Sequence, residues 1–381
     1  MTTNQPQNNI SSKWIEKELG EVASFFNGKA HENDISDNGR YIVINSKFVS
    51  TNGLIAKYTN TCLSPLKKAD IAMVMSDVPN GKAIAKCFLI DADHKYTLNQ
   101  RIGGFRSKEI NSSFLYFLLN RNRYFLSFDD GVNQTNLRKD DILECPLYYP
   151  PLPEQNRIVS VLETWDQAIE TLTKKIEMKR QIKKGLMQDL LTGQKRLGGF
   201  KGDWRTVKLG TCLFIKHGKP QKDVESANGQ YPILGTGGEF GRATKFLYDK
   251  PSVLIGRKGT IDKPKYMDQP FWTVDTLFYS EIKKCNNAKF LYYLFLTINW
   301  KLYNEGSGVP SLSASTIATI KVFIPMEENE QTAIANILTA ADNEITTLQN
   351  KLSLLKDQKK YLLNNLITGA IRTPEDLTVR S

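Results

Sequence analysis

Apolar residues recur at alternating steps of four and three at Ile158, Leu162, Trp165, Ile169, Leu172 and Ile176. Lys179 and Lys183 continue the rhythm, and Leu186 and Leu190 end it. It returns at Ile334, Leu338, Ala341, Ile345, Leu348, Leu352 and Leu355, then Lys359, then Leu362 and Leu366. A 3.5-residue period held over about five heptads predicts two long helices, each with a coiled-coil seam. Pro153 and Pro325 sit just ahead of the two stretches, and Gly193 and Gly369 close them, as helix starts and stops require. The stretches are copies: a shift of 176 superposes residues 154–196 on 330–372 without a gap, with 16 of 43 columns identical. Glu154/Glu330, Gln155/Gln331, Asp166/Asp342 and a terminal Leu-x-Thr-Gly are among them. Each seam therefore has its own copy as a partner, and a pseudo-two-fold axis perpendicular to the helices makes the pair antiparallel.

Outside the helices the period changes. Short β-branched or aromatic runs bounded by Gly, Asn and Pro predict strands at 41–45, 71–75 and 84–90, and again at 231–234, 253–255 and 271–279. The longer apolar runs at 112–120 and 287–300 predict buried helices. These blocks are also related, more faintly. KELGEVASFFNGK from Lys17 aligns with VKLGTCLFIKHGK from Val207 at a shift of 190, which sets Trp14 over Trp204 and Tyr41 over Tyr231. FLYFLL from Phe114 matches FLYYLF from Phe290 at a shift of 176, so one block carries an insertion. The expected fold is α/β in the broad sense (α+β): two globular blocks separated by two long antiparallel helices. Its divisions are a disordered tail at 1–12, block one at 13–150, a helix at 151–197, block two at 198–325, a helix at 326–370 and a tail at 371–381. Residues 148–153 form a stiff linker and 198–202 a flexible one.

Charge adds a partner class. Of the net +11, residues 201–325 carry +8, against +2 for 1–150, +3 for 151–200 and −2 for 326–381. A surplus concentrated in one block points to a polyanion. Five scattered cysteines and three separated histidines form no metal-ligand pattern, which suggests a reducing cytoplasm and no metal. No apolar run is long enough to span a bilayer, and the N-terminal stretch lacks the charge pattern of a signal or transit peptide.

The catalytic near-motifs are weak. Leu234-Gly235-Thr236-Gly237-Gly238 resembles a cofactor loop, but neither a helix start nor an acidic ribose ligand follows. Tyr149-Pro150-Pro151-Leu152 lacks the polar and stacking residues of an amino-methyltransferase motif. Asp275 with Glu281 and Lys283 mimics a nuclease set at cramped spacing, and there is no phosphate-binding loop. What remains is polar loop chemistry suited to a duplex. Arg reads guanine, Asn and Gln read adenine, and Lys and hydroxyls anchor phosphates. The candidates are Asn45, Lys47, Asn80, Lys82, Gln100, Arg101, Asn133 and Gln134 in block one. In block two they are Lys219, Gln221, Lys222, Thr236, Arg242, Arg257, Lys258 and Thr260.

A helix that opens on Glu-Gln-x-x-Ile and closes on Leu-x-Thr-Gly, twice, after two divergent Trp-x4-Leu-Gly blocks, resembles the specificity (S) subunit of type I restriction–modification systems. The resemblance covers nearly the whole chain. It implies two target recognition domains, each binding half of a split double-stranded DNA site, and helices that set the spacer and dock two modification (M) subunits. It implies a non-catalytic chain without its own cofactor: S-adenosylmethionine belongs to M, and ATP with Mg to the restriction (R) subunits that join for cleavage. The loop at 256–260 is the best match to a DNA loop of that family, with Asn80-Gly81-Lys82 as its counterpart in block one. Unlike block interiors imply an asymmetric target. Two alternatives remain: a specificity chain with its own methyltransferase or nuclease activity, and a homodimeric coiled-coil scaffold.

Overall fold

The computed structural model describes residues 14–79 and 81–377; the tail expected at 1–12 lies outside them. Two compact units make up the chain. The first comprises residues up to Thr171 together with those from Leu352 onward, and the second is Leu172–Lys351.

In the first unit, Ile15–Glu18 pairs antiparallel with Pro146–Tyr149. A four-stranded antiparallel sheet has the spatial order Ala23–Asn27, Ile102–Ser107, Ile71–Val74, Cys87–Leu89. A three-stranded sheet sets Tyr41–Ile44 between Lys57–Thr59, antiparallel, and Tyr96–Leu98, parallel. Ile71–Val74 is wholly buried because both its faces are covered. Ile71 and Met73 join the core under helix Ser112–Leu119, while Ala72 and Val74 join a second core with Ile44, Phe48 and Leu98. That explains a continuous apolar run in place of an alternating one.

The second unit repeats the plan. Trp204–Lys208 pairs with Lys321–Pro325. The four-stranded sheet runs Leu213–Lys216, Leu277–Ile282, Ser252–Gly256, Lys265–Met267, and the three-stranded one Gly238–Ala243, Tyr231–Gly235, Trp272–Thr273. Val253 and Ile255 face the core under helix Ala288–Thr297, and Leu254 the other side.

Each long helix is 40 residues, Leu152–Leu191 and Glu328–Ile367, or about 60 Å at 1.5 Å per residue. The first ends six residues short of the expected 197, because Gly193 turns left-handed (φ 71°) against the Trp204 ring. Gly369 (φ 73°) does the same against Trp14. In each unit the helix segments run antiparallel. In the first, Asp166 pairs with Lys359 at 2.5 Å, Arg157 Nε donates to Thr373 Oγ1 at 3.2 Å, and Glu154 pairs with Arg372. In the second, Lys179 meets Glu344 at 2.7 Å, Lys183 meets Asp342 at 2.5 Å, and Arg196 meets Glu330 at 2.6 Å. The polar steps in the apolar rhythm are thus ion pairs. Of the seam positions, Ile158, Leu162, Leu172, Ile334, Leu338 and Ile345 are buried, while Trp165, Ile169, Leu348 and Leu352 are half-buried.

The buried Gln of each Glu-Gln pair fixes its block to its helix. Gln155 Oε1 accepts from the Asn111 backbone N–H and its Nε2 donates to the Pro150 carbonyl. Gln331 does the same with Asn287 and Pro325.

Several local expectations need correction. Residues 84–90 are strand only at Cys87–Leu89, since Ala85 takes a left-handed φ of 54°. Residues 271–279 are not one strand: a turn splits Trp272–Thr273 from Leu277–Ile282, which belong to different sheets. The helix expected to reach 300 ends at Thr297, and a 3-10 turn, Trp300–Tyr303, follows. Tyr148 and Tyr149 are sheet residues, not linker. Of the segment expected as a tail at 371–381, residues 371–377 are described; Ile371 packs on the first unit's core and Thr373 is buried. No helix among the described residues is long and apolar enough to cross a membrane.

Candidate nucleic-acid interface

In the second unit, the turn at 273–276 gathers three other segments around itself. Lys219 N–H donates to the Thr273 carbonyl (2.8 Å), Val274 N–H to Leu234 (3.1 Å), and Arg257 N–H to Thr276 (2.8 Å). Gly218 must be glycine here, because a Cβ would stand 2.1 Å from the Val274 carbonyl oxygen. The hairpin tip at Thr236 lies against Gly256 and Gly259. A fourth segment joins through Gly259 N–H to Pro310 O (2.8 Å), Leu312 N–H to Arg257 O (2.9 Å) and a bridge between Lys258 and Ser311. A cleft of about 390 Å³ opens between them, lined in part by His217, Arg257, Lys258, Glu305, Ser311 and Ser313. The hydroxyls of Thr316 and Ser313 hold the Glu305 carboxyl below the usual range, so it stays charged beside the cations. Arg257 is steadied by Asp275, whose carbonyl accepts from Nη1 at 3.3 Å and whose carboxylate lies 3.8 Å away.

The first unit builds the same frame bond for bond. Lys29 N–H donates to Leu98 O (3.0 Å), Asn99 N–H to Ile44 O (3.0 Å), Met75 N–H to Arg101 O (3.0 Å) and Leu137 N–H to Met75 O (2.8 Å). Ser76–Asp77 pairs with Thr135–Asn136 where the second unit has Lys258 and Ser311. These bonds equate Lys29 with Lys219, Ile44 with Leu234, Met75 with Arg257 and Leu137 with Leu312. The offset therefore falls from 190 to 182 to 175 in two steps. The first step includes helix Ser46–Ser50, which lies between Tyr41–Ile44 and Lys57–Thr59 where the second unit joins Tyr231–Gly235 to Gly238–Ala243 by a tight turn.

Measured on this frame, the candidates divide. Lys219, Thr236, Arg257, Lys258 and Thr260 come together. Gln221 lies two residues beyond, where its carbonyl closes a turn on Val224 and Glu225, with Lys222 exposed beside it. Arg242 is opposite Pro232, three positions down the hairpin from its tip, and paired with Glu239 at 3.2 Å. In the first unit, Arg101 and Gln134 lie on the frame, Arg101 exposed and left-handed (φ 64°). Asn45 is occupied as an N-cap, accepting from Phe48 N–H at 2.9 Å, with Lys47 exposed on the helix it starts. Gln100 donates to Glu32 at 2.6 Å, and Asn133 to Asp130 at 3.0 Å. Lys82 is exposed in a loop closed by the Asp77 carboxylate, and Asn80 lies outside the described residues. The counterpart of Arg257 is Met75, so the pairing of the 256–260 loop with Asn80-Gly81-Lys82 is displaced by several residues.

Sequence reading singled out the stretch Asn133–Asn136 but missed Ser76, His217 and Ser311, which carry no signal without the backbone pairing. It also missed Lys29, although the aligned NGK and HGK both end on the paired lysines Lys29 and Lys219. The nuclease-like set does not assemble: Asp275 precedes strand Leu277–Ile282 and Lys283 follows it, about 20 Å apart along a six-residue strand. Gly235–Gly238 closes a hairpin and opens no helix.

A family model described as the type I restriction modification DNA specificity domain matches residues 11–180 and 201–356. Two relatives come from Methanocaldococcus jannaschii. The MjaX chain, named for a type I restriction enzyme specificity subunit, is 26% identical over 272 residues, 64% of this chain. The match spans 63% of that relative, just under two thirds of its length. The type I restriction enzyme MjaVIII specificity subunit is 26% identical over 70% of this chain and 72% of its own. Among solved structures, the S subunit of a type I restriction–modification system from M. genitalium shares the fold. It has a TM-score of 0.65 at 19% identity, with 95% of this chain and 97% of that one covered. A chain from a structure of the type I R-M system aligns at TM-score 0.59 and 16% identity, over 96% of this chain and all of the other. With the model matching both copies of the repeated frame, the chain belongs to the type I restriction modification DNA specificity family.

Proposed function

We propose that this chain reads a split DNA sequence for a type I restriction–modification enzyme, one half-site per unit. The supporting observation is one backbone frame built twice, with unlike side chains on it. A shared frame presents both units to a duplex in the same manner. Gln134, Arg101 and Asn136 in one, and Arg257, Lys258 and Thr236 in the other, then give two different half-sites. The chain itself carries out no chemistry in this reading. Methyl transfer from S-adenosylmethionine belongs to two modification subunits docked on the long helices, and ATP- and Mg-dependent cleavage to restriction subunits. The helices set the gap between half-sites. Exchanging residues 13–150 for the corresponding block of another family member tests this. Sequencing the host's methylated sites is expected to show one half-site replaced and the other retained; a change in both halves would refute modular reading.

A further inference from the structure

Both frames end in a short ribbon, and each ribbon carries one planar polar side chain braced by protein. In the first unit, Gln134 leads into Thr135–Asn136 and is exposed. Its Nε2 donates to Ser76 Oγ at 2.7 Å and to Asn136 Oδ1 at 3.5 Å, and its backbone carbonyl accepts from Asn136 Nδ2 at 3.4 Å, while its side-chain Oε1 takes no hydrogen bond from the described residues. In the second unit, Arg257 leads into the ribbon and is held by Asp275 through one nitrogen, leaving two for a ligand. The offset of 175 puts Val309, 62% exposed, where the first unit has Gln134. The backbone pairing puts Met75 where the second unit has Arg257. The second unit thus has exposed Val309 where the first has its braced amide, and the first has Met75, packed on its own core, where the second has its braced guanidinium. Asn45 caps a helix, Gln100 and Asn133 each donate to a carboxylate, Glu32 and Asp130, and Arg242 pairs with Glu239, whereas Gln134 donates only to neutral oxygens, one of them at 3.5 Å.

Given the DNA-reading function above, we propose that Gln134 reads an adenine in one half-site and Arg257 a guanine in the other. A carboxamide presents one acceptor and one donor side by side, matching adenine N6–H and N7. In Gln134 the donor is the N–H that reaches Asn136 Oδ1 only at 3.5 Å and turns to the base, while the one on Ser76 stays as the brace. A guanidinium presents two donors, matching guanine O6 and N7. Bracing by Ser76 and Asp275 fixes the plane of each group before binding, so less freedom is lost on contact. In the second unit the exposed Val309 beside the ribbon suits a thymine methyl group.

The test uses the full chain assembled with its modification subunits, acting on a library of randomised duplexes whose methylated members are sequenced. Gln134→Arg is expected to change adenine to guanine at one position of one half-site, with the other half untouched. Arg257→Gln is expected to make the converse change in the other half. Gln134→Ala should lower discrimination at that single position by about 5- to 150-fold. Arg257→Lys keeps the charge without the planar fork, so it should retain affinity and lose discrimination. A wild-type motif that Gln134→Arg and Arg257→Gln both leave unchanged would overturn the assignment alone. So would uniform weakening across all sequences in Gln134→Ala and Arg257→Lys, the mark of phosphate contacts. A wild-type complex with no motif would overturn the DNA-reading function and the assignment with it.

Discussion

Gln155 and Gln331 show what an identical column can mean physically. Each bonds a backbone N–H at the start of a domain helix and a backbone carbonyl ahead of a long helix, in a site almost closed to water. Either residue changed to alanine strands two buried backbone groups. We expect a loss of about 2–4 kcal/mol, read as a lower denaturation midpoint of that residue's own unit. The alignment marks these residues, but it says nothing of Asn111 or Pro150, 44 and 5 residues away. A second residue-scale expectation concerns Asp130. Backbone N–H groups of Asn133 and Val132 hold its carboxyl down at about 2. A folded value below the unfolded one of about 3.9 means that the support this carboxylate gives the loop is whole above pH 4 and fades as pH falls through about 2. Carboxyl NMR of the full chain should put its midpoint near 2; a midpoint near 4 would show that the loop leading to Gln134 is not held this way.

At the scale of elements, the long helices were legible because a period repeats along the chain itself, whereas a strand's place depends on partners far away. Nothing in the sequence equates Met75 with Arg257; only the bonds to Arg101 and Thr276 do. The polar steps in the helices were legible as positions but not as pairs. Lys183 meets Asp342, which also accepts from the buried Tyr293 hydroxyl at 2.8 Å, with the ammonium 5.6 Å from that ring. In the other copy, Lys359 meets Asp166 and lies over Phe117, which has no hydroxyl. The copies should therefore respond unequally. Asp342→Ala, which removes the charged acceptor of a buried phenol and leaves it only Thr339 Oγ1 at 3.2 Å, is expected to cost about 2 kcal/mol, and Asp166→Ala about 1 kcal/mol. Equal shifts in denaturation midpoint would show that the tyrosine bond contributes little.

For the molecule as a whole, the proposed measuring role of the helices has a specific signature. Four helix-forming residues inserted after Leu191 add about 6 Å and about 400° of rotation, or 40° past a full turn. That excess is close to the twist of one base pair. Rotation should govern, because a block on the wrong side of a duplex cannot reach its bases, whereas residues 198–202 can absorb about 3 Å of rise. Unchanged half-sites with a spacer one base pair longer are expected in the mutant's methylated sites, and an unchanged spacer would rule out measurement by the helices.

The closure of Arg372 on Glu154 and the packing of Leu366 with Ile158 and Leu162 also impose an order of events during synthesis. The second unit is one continuous stretch, Leu172–Lys351, and can complete itself as soon as it has left the ribosome. The first unit, begun earlier, lacks part of its core until residues from Leu352 onward emerge, so the part of the chain made first is finished last. A chain released at Lys351 should keep the cooperative unfolding of the second unit and lose that of the first, and protease protection on stalled ribosomes should appear in the same order.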